Sequence, residues 1–463
     1  MLKWIRSFTK SPLLQKLFAT QLKRNMVFSA LTTCFNIAIM ILAYPLYLYF
    51  LGYYRYGTWS LLASVIIFSQ MSDLGISSAV MKLSAEEFGR NNIAGIRAIF
   101  SAGSLILFLM GIIALTLIFI FRDIIPHILN IPEQDYDLSV KLLPYIGLLS
   151  VAVLLNELIT ATLAGLGRMD LSSLLQSLGR LAGTIVSIVL LWKMKNITAL
   201  IAGSAVAVAV PMVLSLVSIH HFIKLSPFTF AGISRFHFRQ LFGFGGYVFG
   251  TRVSTLLLFP ANKMLLSWFS GGGVASVSVY EIAYNASMQI RALSESALRP
   301  FLPATSCLAA QLSHVSLQKI RDLHRYTFKK ILHLGLPLHI VAIVLSIPFL
   351  KIWLGSRYVP ELGPVVMIML AGSFLSLAGV PAWYILLGLG KPVYCFIAGL
   401  IQLGVNLLLA GGVILITSSL SPLESAAVLT IAMGITSFFL VTWYRKTAKS
   451  LHRKITDEQT GKN

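Results

Sequence analysis

The stretch AIFSAGSLILFLMGIIALTLIFIF, residues 98–121, runs for 24 residues without a charge between Arg97 and Arg122. As an α-helix it is about 36 Å long at 1.5 Å per residue, enough to cross a hydrocarbon core of about 30 Å. Outward from it, apolar stretches of span length recur at 26–51, 56–85, 141–166, 171–192, 198–219, 240–268, 274–300, 326–354, 361–388, 392–417 and 422–444. With 57% hydrophobic and 11% charged residues, the 463-residue chain is too apolar for a soluble domain, which excludes a soluble enzyme. The prediction is an all-α, polytopic membrane protein of about 12 transmembrane helices.

The net charge of +21 is placed as a topology signal, and no nucleic-acid partner is expected. The connections on one side, with both termini, hold 25 Lys and Arg. The other side holds only 7, namely Arg55, Arg122, Lys141, Lys193, Lys195, Lys351 and Arg357, beside acids such as Asp123, Asp135 and Glu361. Cytoplasmic connections carry the Lys/Arg excess, so both termini are predicted to be cytoplasmic, as an even span count requires. The organisation is then a basic arm (1–25), a six-helix half (26–219), a basic connection (220–239), a second half (240–444) and a basic tail (445–463). The arm contains Pro12 and no small-residue cleavage site, which predicts that no signal peptide is removed. It reads either as a surface-lying amphipathic segment or as a solvated tail, and residues 316–330 carry the same two readings. Cys34, Cys307 and Cys395 imply no disulfide.

The halves repeat one another. Gly165-Leu166-Gly167-Arg168 after span four corresponds to Gly388-Leu389-Gly390-Lys391 after span ten at an offset of 223, the turn at Asn196 maps to Ser419, and Ile125-Pro126 roughly matches Ile347-Pro348. Two six-helix halves in one orientation around a central cavity are a transporter architecture, with alternating access as rocking of one half on the other.

The remaining five of the 37 basic residues, Arg180, Arg252, Lys263, Arg291 and Arg299, lie inside spans. Charge in a membrane core survives in a bundle interior or a wet cavity, so each is a candidate site residue. Arg180 and Arg252 are about 14 and 18 Å from the basic ends of their helices, too deep to snorkel easily. Arg291, Glu295 and Arg299 recur every four residues on one helix face and can pair internally before Pro300 and Pro303. Asp73, Glu157 and Glu295 are the ion-coupling candidates. Either these charges pair to hold the bundle together, or the arginines form an anion site, for which a permanently charged planar fork suits phosphate. Trp383, Tyr384 and Asn406 read either as sugar contacts or as core. No HExxH, CxxC, GxSxG or GxxxxGK[ST] motif occurs, so no metal, cofactor or nucleotide-driven step is expected.

Leu51-Gly52, Tyr56-Gly57-Thr58-Trp59-Ser60-Leu61, Ser72-Asp73-Leu74-Gly75-Ile76, the turn at 165–168, and Tyr280 with Ala283 resemble the polysaccharide-transporter branch of the multidrug, oligosaccharidyl-lipid and polysaccharide exporter superfamily, the O-antigen (Wzx-type) flippases. The resemblance implies two lobes about a cationic cavity that carry undecaprenyl-pyrophosphate-linked oligosaccharide from the inner to the outer leaflet of the cytoplasmic (inner) membrane. Arg180, Arg252, Lys263, Arg291 and Arg299 are what this chain offers for the lining. Proton or sodium coupling, contact with membrane lipids and contact with other polysaccharide-assembly membrane proteins are implied with it, and no enzymatic activity is. The chain departs from many relatives at Asn262-Lys263, where an acid precedes the basic residue. The competing classes are an ion-coupled drug antiporter of the same superfamily, another lipid-linked precursor flippase, which usually has two more spans, and a polymerase, which needs a large outer loop.

Overall fold

The computed structural model describes residues 12–223, 235–296, 314–389 and 391–460. Among them every regular element is helical. Helix α1 (Pro12–Gln70) is folded into two arms at Gly52, whose φ of 68° is open to glycine and costly for other residues. A short turn at Met71–Asp73 separates it from α2 (Ile76–Gly89), and together the second arm of α1 and α2 make span two. There follow α3 (Ile93–Ile120), α4 (Glu133–Gly165), α5 (Met169–Met194), α6 (Thr198–Ile223), α7 (Arg235–Phe269) and α8 (Val274–Ser296). The chain continues through α9 (His314–Lys330), α10 (Leu336–Leu354), α11 (Leu362–Gly388), α12 (Pro392–Thr417) and α13 (Pro422–Thr460). The protein is thus a multi-pass membrane protein whose helices match the expected spans.

Two spans stand apart. Among the described residues, nine helical segments are long and apolar enough to cross a membrane by hydropathy, the first of them covering both arms of α1; Leu256–Phe269 of α7 is a shorter apolar stretch, and α8 is not among the nine. These two helices bury polar groups against the opposite half, so packing in the bundle interior replaces lipid around them.

The internal repeat is visible in backbone hydrogen bonds. Arg168 N–H donates to Leu163 O (3.2 Å) and Lys391 N–H to Leu386 O (2.9 Å), a bond that closes the last helical turn at two positions 223 residues apart. The same offset relates Lys195 to Ser418, both left-handed and donating to Leu191 O and Ile414 O. The Ile125-Pro126 correspondence fails. Ile125–Ile128 is an isolated turn between α3 and α4, whereas Pro348 lies inside α10, because a shared dipeptide does not by itself specify a backbone.

Lipid gives helices no hydrophobic reason to associate, so they approach through small residues. Gly179, Gly183 and Ser187 of α5 recur every four residues and meet Gly203, Ala207 and Pro211 of α6; a Cβ on Gly203 would lie 1.8 Å from Ser187 Oγ. On the side away from the termini, one continuous core joins the halves, running from Leu48, Tyr56 and Leu61 through Leu143 to Val277, Tyr280 and Leu362. On the side of the termini, hereafter the basic side, the core divides. A cluster around Ile76, Ile99, Leu158 and Ile219 belongs to the first half and takes in Leu241 of α7, and separate clusters around Leu386 and Leu377 belong to the second. The halves are joined at one end and parted at the other.

The amphipathic run expected at 316–330 is α9, anchored by buried Ile320 and by His324 stacked on Tyr444 at 4.2 Å. That packing makes it a fixed element. The arm residues 1–11, most of the central connection and the Pro300/Pro303 break fall outside the described residues.

Candidate transport cavity

The joined end is built around Lys263. Its side chain is 2% exposed, with Nζ 2.9 Å from Glu281 Oε2 on the neighbouring helix and 4.3 Å from the Phe259 ring centroid. The same ammonium donates to Ser60 O across the halves at 3.0 Å, and Tyr56 O–H donates to Glu281 Oε1 at 3.2 Å. A lysine and a carboxylate from the second half are therefore satisfied jointly by the first. Around them Asn285 Nδ2 donates to Tyr44 Oη (2.9 Å), Ser278 O–H to Tyr53 O, Trp268 Nε1–H to Ile128 O (2.7 Å) and Tyr53 O–H to Arg357 O (2.9 Å). Gly57 permits this closeness: a Cβ there would lie 1.8 Å from Val274 O. These contacts close the two halves on each other at this end, hereafter the seal.

Toward the basic side, the parted halves leave a cavity of about 250 Å³ walled by Thr32, Thr33 and Asn36 of α1, Ser173, Gln176, Ser177 and Arg180 of α5, and Gln289 and Ala292 of α8. Positions 173, 176, 177 and 180 share one face of α5 by helical spacing. Arg180 is exposed, about 16 Å along α5 from Met169. Among the described residues no carboxylate lies within ion-pair distance of it, and no Asp or Glu lines this cavity. A guanidinium therefore faces neutral amides and hydroxyls in an open space between the halves, an arrangement suited to an anion with hydrogen-bonding neighbours.

The other candidates separate from Arg180. Arg291 pairs with Glu295 at 3.4 Å, as its spacing suggests, and Tyr384 O–H donates to Glu295 at 2.9 Å. Arg252 lies on α7 but its side chain is outside the described residues, as is all of Arg299. Lys263 sits in the seal and away from the cavity of Arg180. Asp73 is 2% exposed and its Oδ1 accepts from Ser77 N–H (3.0 Å) and Ser77 O–H (2.6 Å), which caps α2 after Leu74 and Gly75 have broken the span with positive φ. Glu157 lines a second cavity of about 280 Å³ with Ser77, Ser78, Thr160, Ser172, Ser173 and Gln176. Asn406, fully buried, donates to Asn262 Oδ1 at 2.8 Å, and Trp383 packs in the second-half core, so both are held in the protein interior. Sequence reasoning missed Thr32, Thr33, Asn36, Gln176 and Gln289. Only Gln176 carried a signal, its helical spacing from Arg180 on α5.

Comparison with known proteins follows from this geometry. The family model described as "Polysaccharide biosynthesis protein" matches residues 22–308, more than half of the chain. The chain belongs to this family. A Shigella flexneri protein, provisionally named an O-antigen transporter, is 21% identical over 347 residues, covering 74% of this chain and 78% of its own. In solved structures the fold is similar to that of an inward-facing multidrug resistance MATE family transporter of the MOP superfamily, with TM-score 0.71, 14% identity and coverage of 91% and 96% of the two chains. A Pyrococcus furiosus MOP superfamily transporter, described as having a binding pocket of reversed polarity, matches with TM-score 0.63, 13% identity and coverage of 92% and 96%. The chain is thus a multi-pass member of the polysaccharide biosynthesis family with the fold seen in MOP superfamily transporters.

Proposed function

We propose that the protein is a flippase that carries undecaprenyl-pyrophosphate-linked oligosaccharide, an O-antigen or related repeat unit, from the inner to the outer leaflet of the cytoplasmic membrane, with both termini cytoplasmic. The carrying observation is Arg180, an exposed guanidinium without an acid partner among the described residues, in a neutral polar cavity between the halves. Charge-assisted hydrogen bonds to a phosphate are worth about 1.5–3 kcal/mol each, and the surrounding amides leave that charge for the substrate. The described conformation is then open to the cytoplasm, with the Lys263–Glu281 seal closed on the outside. Outward opening breaks the contacts to Ser60 and Tyr56 while Lys263 and Glu281 keep each other, so the ion pair is never stranded. The polyprenyl tail stays in lipid.

A drug antiporter of the same superfamily would share this fold, but a carrier of cations calls for carboxylates around the central charge position that Arg180 occupies. Of the carboxylates considered for proton or sodium coupling, Glu157 is assigned that role here because it lines a cavity, whereas Asp73 caps a helix. The relative named for O-antigen transport supports the substrate class. The test is mass spectrometry of lipid extracts after deletion of the gene. Accumulation of an undecaprenyl-pyrophosphate oligosaccharide is expected, and an unchanged lipid-linked glycan pool would refute the reading.

A further inference from the structure

We infer that the cavity between α2, α4 and α5 is a sugar subsite that holds the first rings of the glycan beside the head group at Arg180; this rests on the flippase reading. The two cavities adjoin at Ser173 and Gln176, which line both. Each is smaller than small-molecule sites of roughly 300–1,000 Å³, and jointly they fall within that range. Ser173 lies about 10 Å along α5 from Arg180, so a ring joined directly to a phosphate at Arg180 reaches the shared wall, and the next ring enters the second cavity.

The chemistry of the two walls differs in the way such a ligand requires. Beside Arg180 the wall is neutral. Farther on, the wall alternates hydroxyl and amide groups of Ser78, Thr160, Ser172 and Gln176 and the carboxylate of Glu157 with apolar surface from Met81, Ala161 and Met169, the mixture of polar edge and apolar face that a pyranose ring presents. A second anion would be repelled by Glu157. Asn36, on the wall with Arg180, has its Oδ1 buried without a hydrogen-bond partner, an acceptor that a ligand hydroxyl can satisfy.

Several of these groups already serve the fold. Ser77 bonds Asp73, Ser172 donates to Thr160 O (3.2 Å), and Thr160 donates to Asn156 O (2.8 Å). Gln176 has only a long 3.4 Å bond to Ser172 Oγ, and Ser78 is half-buried at the cavity wall. Gln176 and Ser78 are therefore the residues to change, since neither substitution removes a bond on which a helix depends.

The experiment measures binding of two lipids to the full-length protein in nanodiscs: bare undecaprenyl pyrophosphate, and the glycolipid that accumulates on deletion. The wild type is expected to bind the glycolipid about tenfold or more tighter than the bare lipid, because several hydrogen bonds add to the head-group contact. Ser78→Ala, which lines only the second cavity, should lower that preference severalfold and leave bare-lipid affinity unchanged; Gln176→Leu, which lines both, should weaken the glycolipid severalfold more than the bare lipid; and Arg180→Ala should weaken both lipids. Equal wild-type affinity for the two lipids, or a preference unchanged in both cavity variants, overturns the subsite. So does equal weakening of both lipids by Gln176→Leu. If the wild type binds neither lipid better than phosphatidylglycerol, the flippase reading itself fails, and the subsite with it.

Discussion

Replacing Lys263 with Met should unlock the outer seal without unfolding either half. The substitution keeps most of the apolar stem of the side chain, but removes the Nζ bond to Ser60 O, the contact of Nζ with the Phe259 ring and the ion pair to Glu281. Only the first of these crosses between the halves. A hydrogen bond from a charged donor contributes about 1.5–3 kcal/mol, which at 1.4 kcal/mol per tenfold shifts the closed-to-open ratio roughly 10- to 100-fold toward opening. Glu281 adds to the shift, because in the closed state it is left 12% exposed without its cation, and opening returns it to water. Spin labels at Glu133 and Ser419, exposed residues of the two halves on the sealed side, report the change by double electron–electron resonance in nanodiscs. A new long-distance population is expected in Lys263→Met and a smaller one in Glu281→Gln. An unchanged distance distribution in a folded variant would refute the reasoning.

Gly57→Ala should act on the same seal by steric means, since the added Cβ would sit 1.8 Å from a backbone carbonyl that has no side-chain freedom to yield; outside labelling of a cysteine at Tyr53 should rise. Asp73→Asn should retain both fold and transport, because Asn caps a helix about as well as Asp, while Asp73→Ala should lower thermal stability by about 1 kcal/mol; loss of gradient dependence in Asp73→Asn would instead mark it as a coupling group. Glu157→Gln should abolish any dependence of transport on an imposed proton or sodium gradient, which flipping in proteoliposomes measures directly. In a variant without native cysteines, cysteines at Asp135, Asn196 and Ser419 should be reached by an impermeant label from outside after denaturation-free loosening of the seal by Gly57→Ala, and cysteines at Arg168, Lys319 and Lys391 should not; external labelling at Arg168 contradicts the topology.

Span number and pairing of the halves were legible because they depend on one-dimensional quantities, apolar run length and charge parity along the chain. The repeat was legible at Arg168 and Lys391 because a glycine-rich helix stop uses local backbone geometry, and it misled at Ile125-Pro126, where two residues carry no such geometry. Arg180 could be singled out because burying an arginine in a span is costly. The role of Lys263 could not be read in the same way. Its partner Ser60, like Tyr56, the partner of Glu281, lies some two hundred residues away, and nothing local distinguishes a lysine that locks two halves from one that lines a cavity. Asp73 was read as a charge in a span, whereas the Leu74-Gly75 break beside it creates free N–H groups that an acid can cap. The neutral cavity wall was hidden because Thr, Asn and Gln in a helix each have ordinary packing roles, and only the assembled bundle brings Thr32, Gln176 and Gln289 to one space.

The central claim is that Arg180 holds the anionic head group of a lipid-linked glycan during its passage. The most direct measurement is flipping of the fluorescently labelled undecaprenyl-pyrophosphate oligosaccharide in proteoliposomes by wild type, Arg180→Ala and Arg180→Lys at equal reconstituted amounts. The account predicts rapid flipping by the wild type, background rates in Arg180→Ala and partial activity in Arg180→Lys, which keeps the charge but lacks the planar fork. Wild-type rates in Arg180→Ala would contradict it.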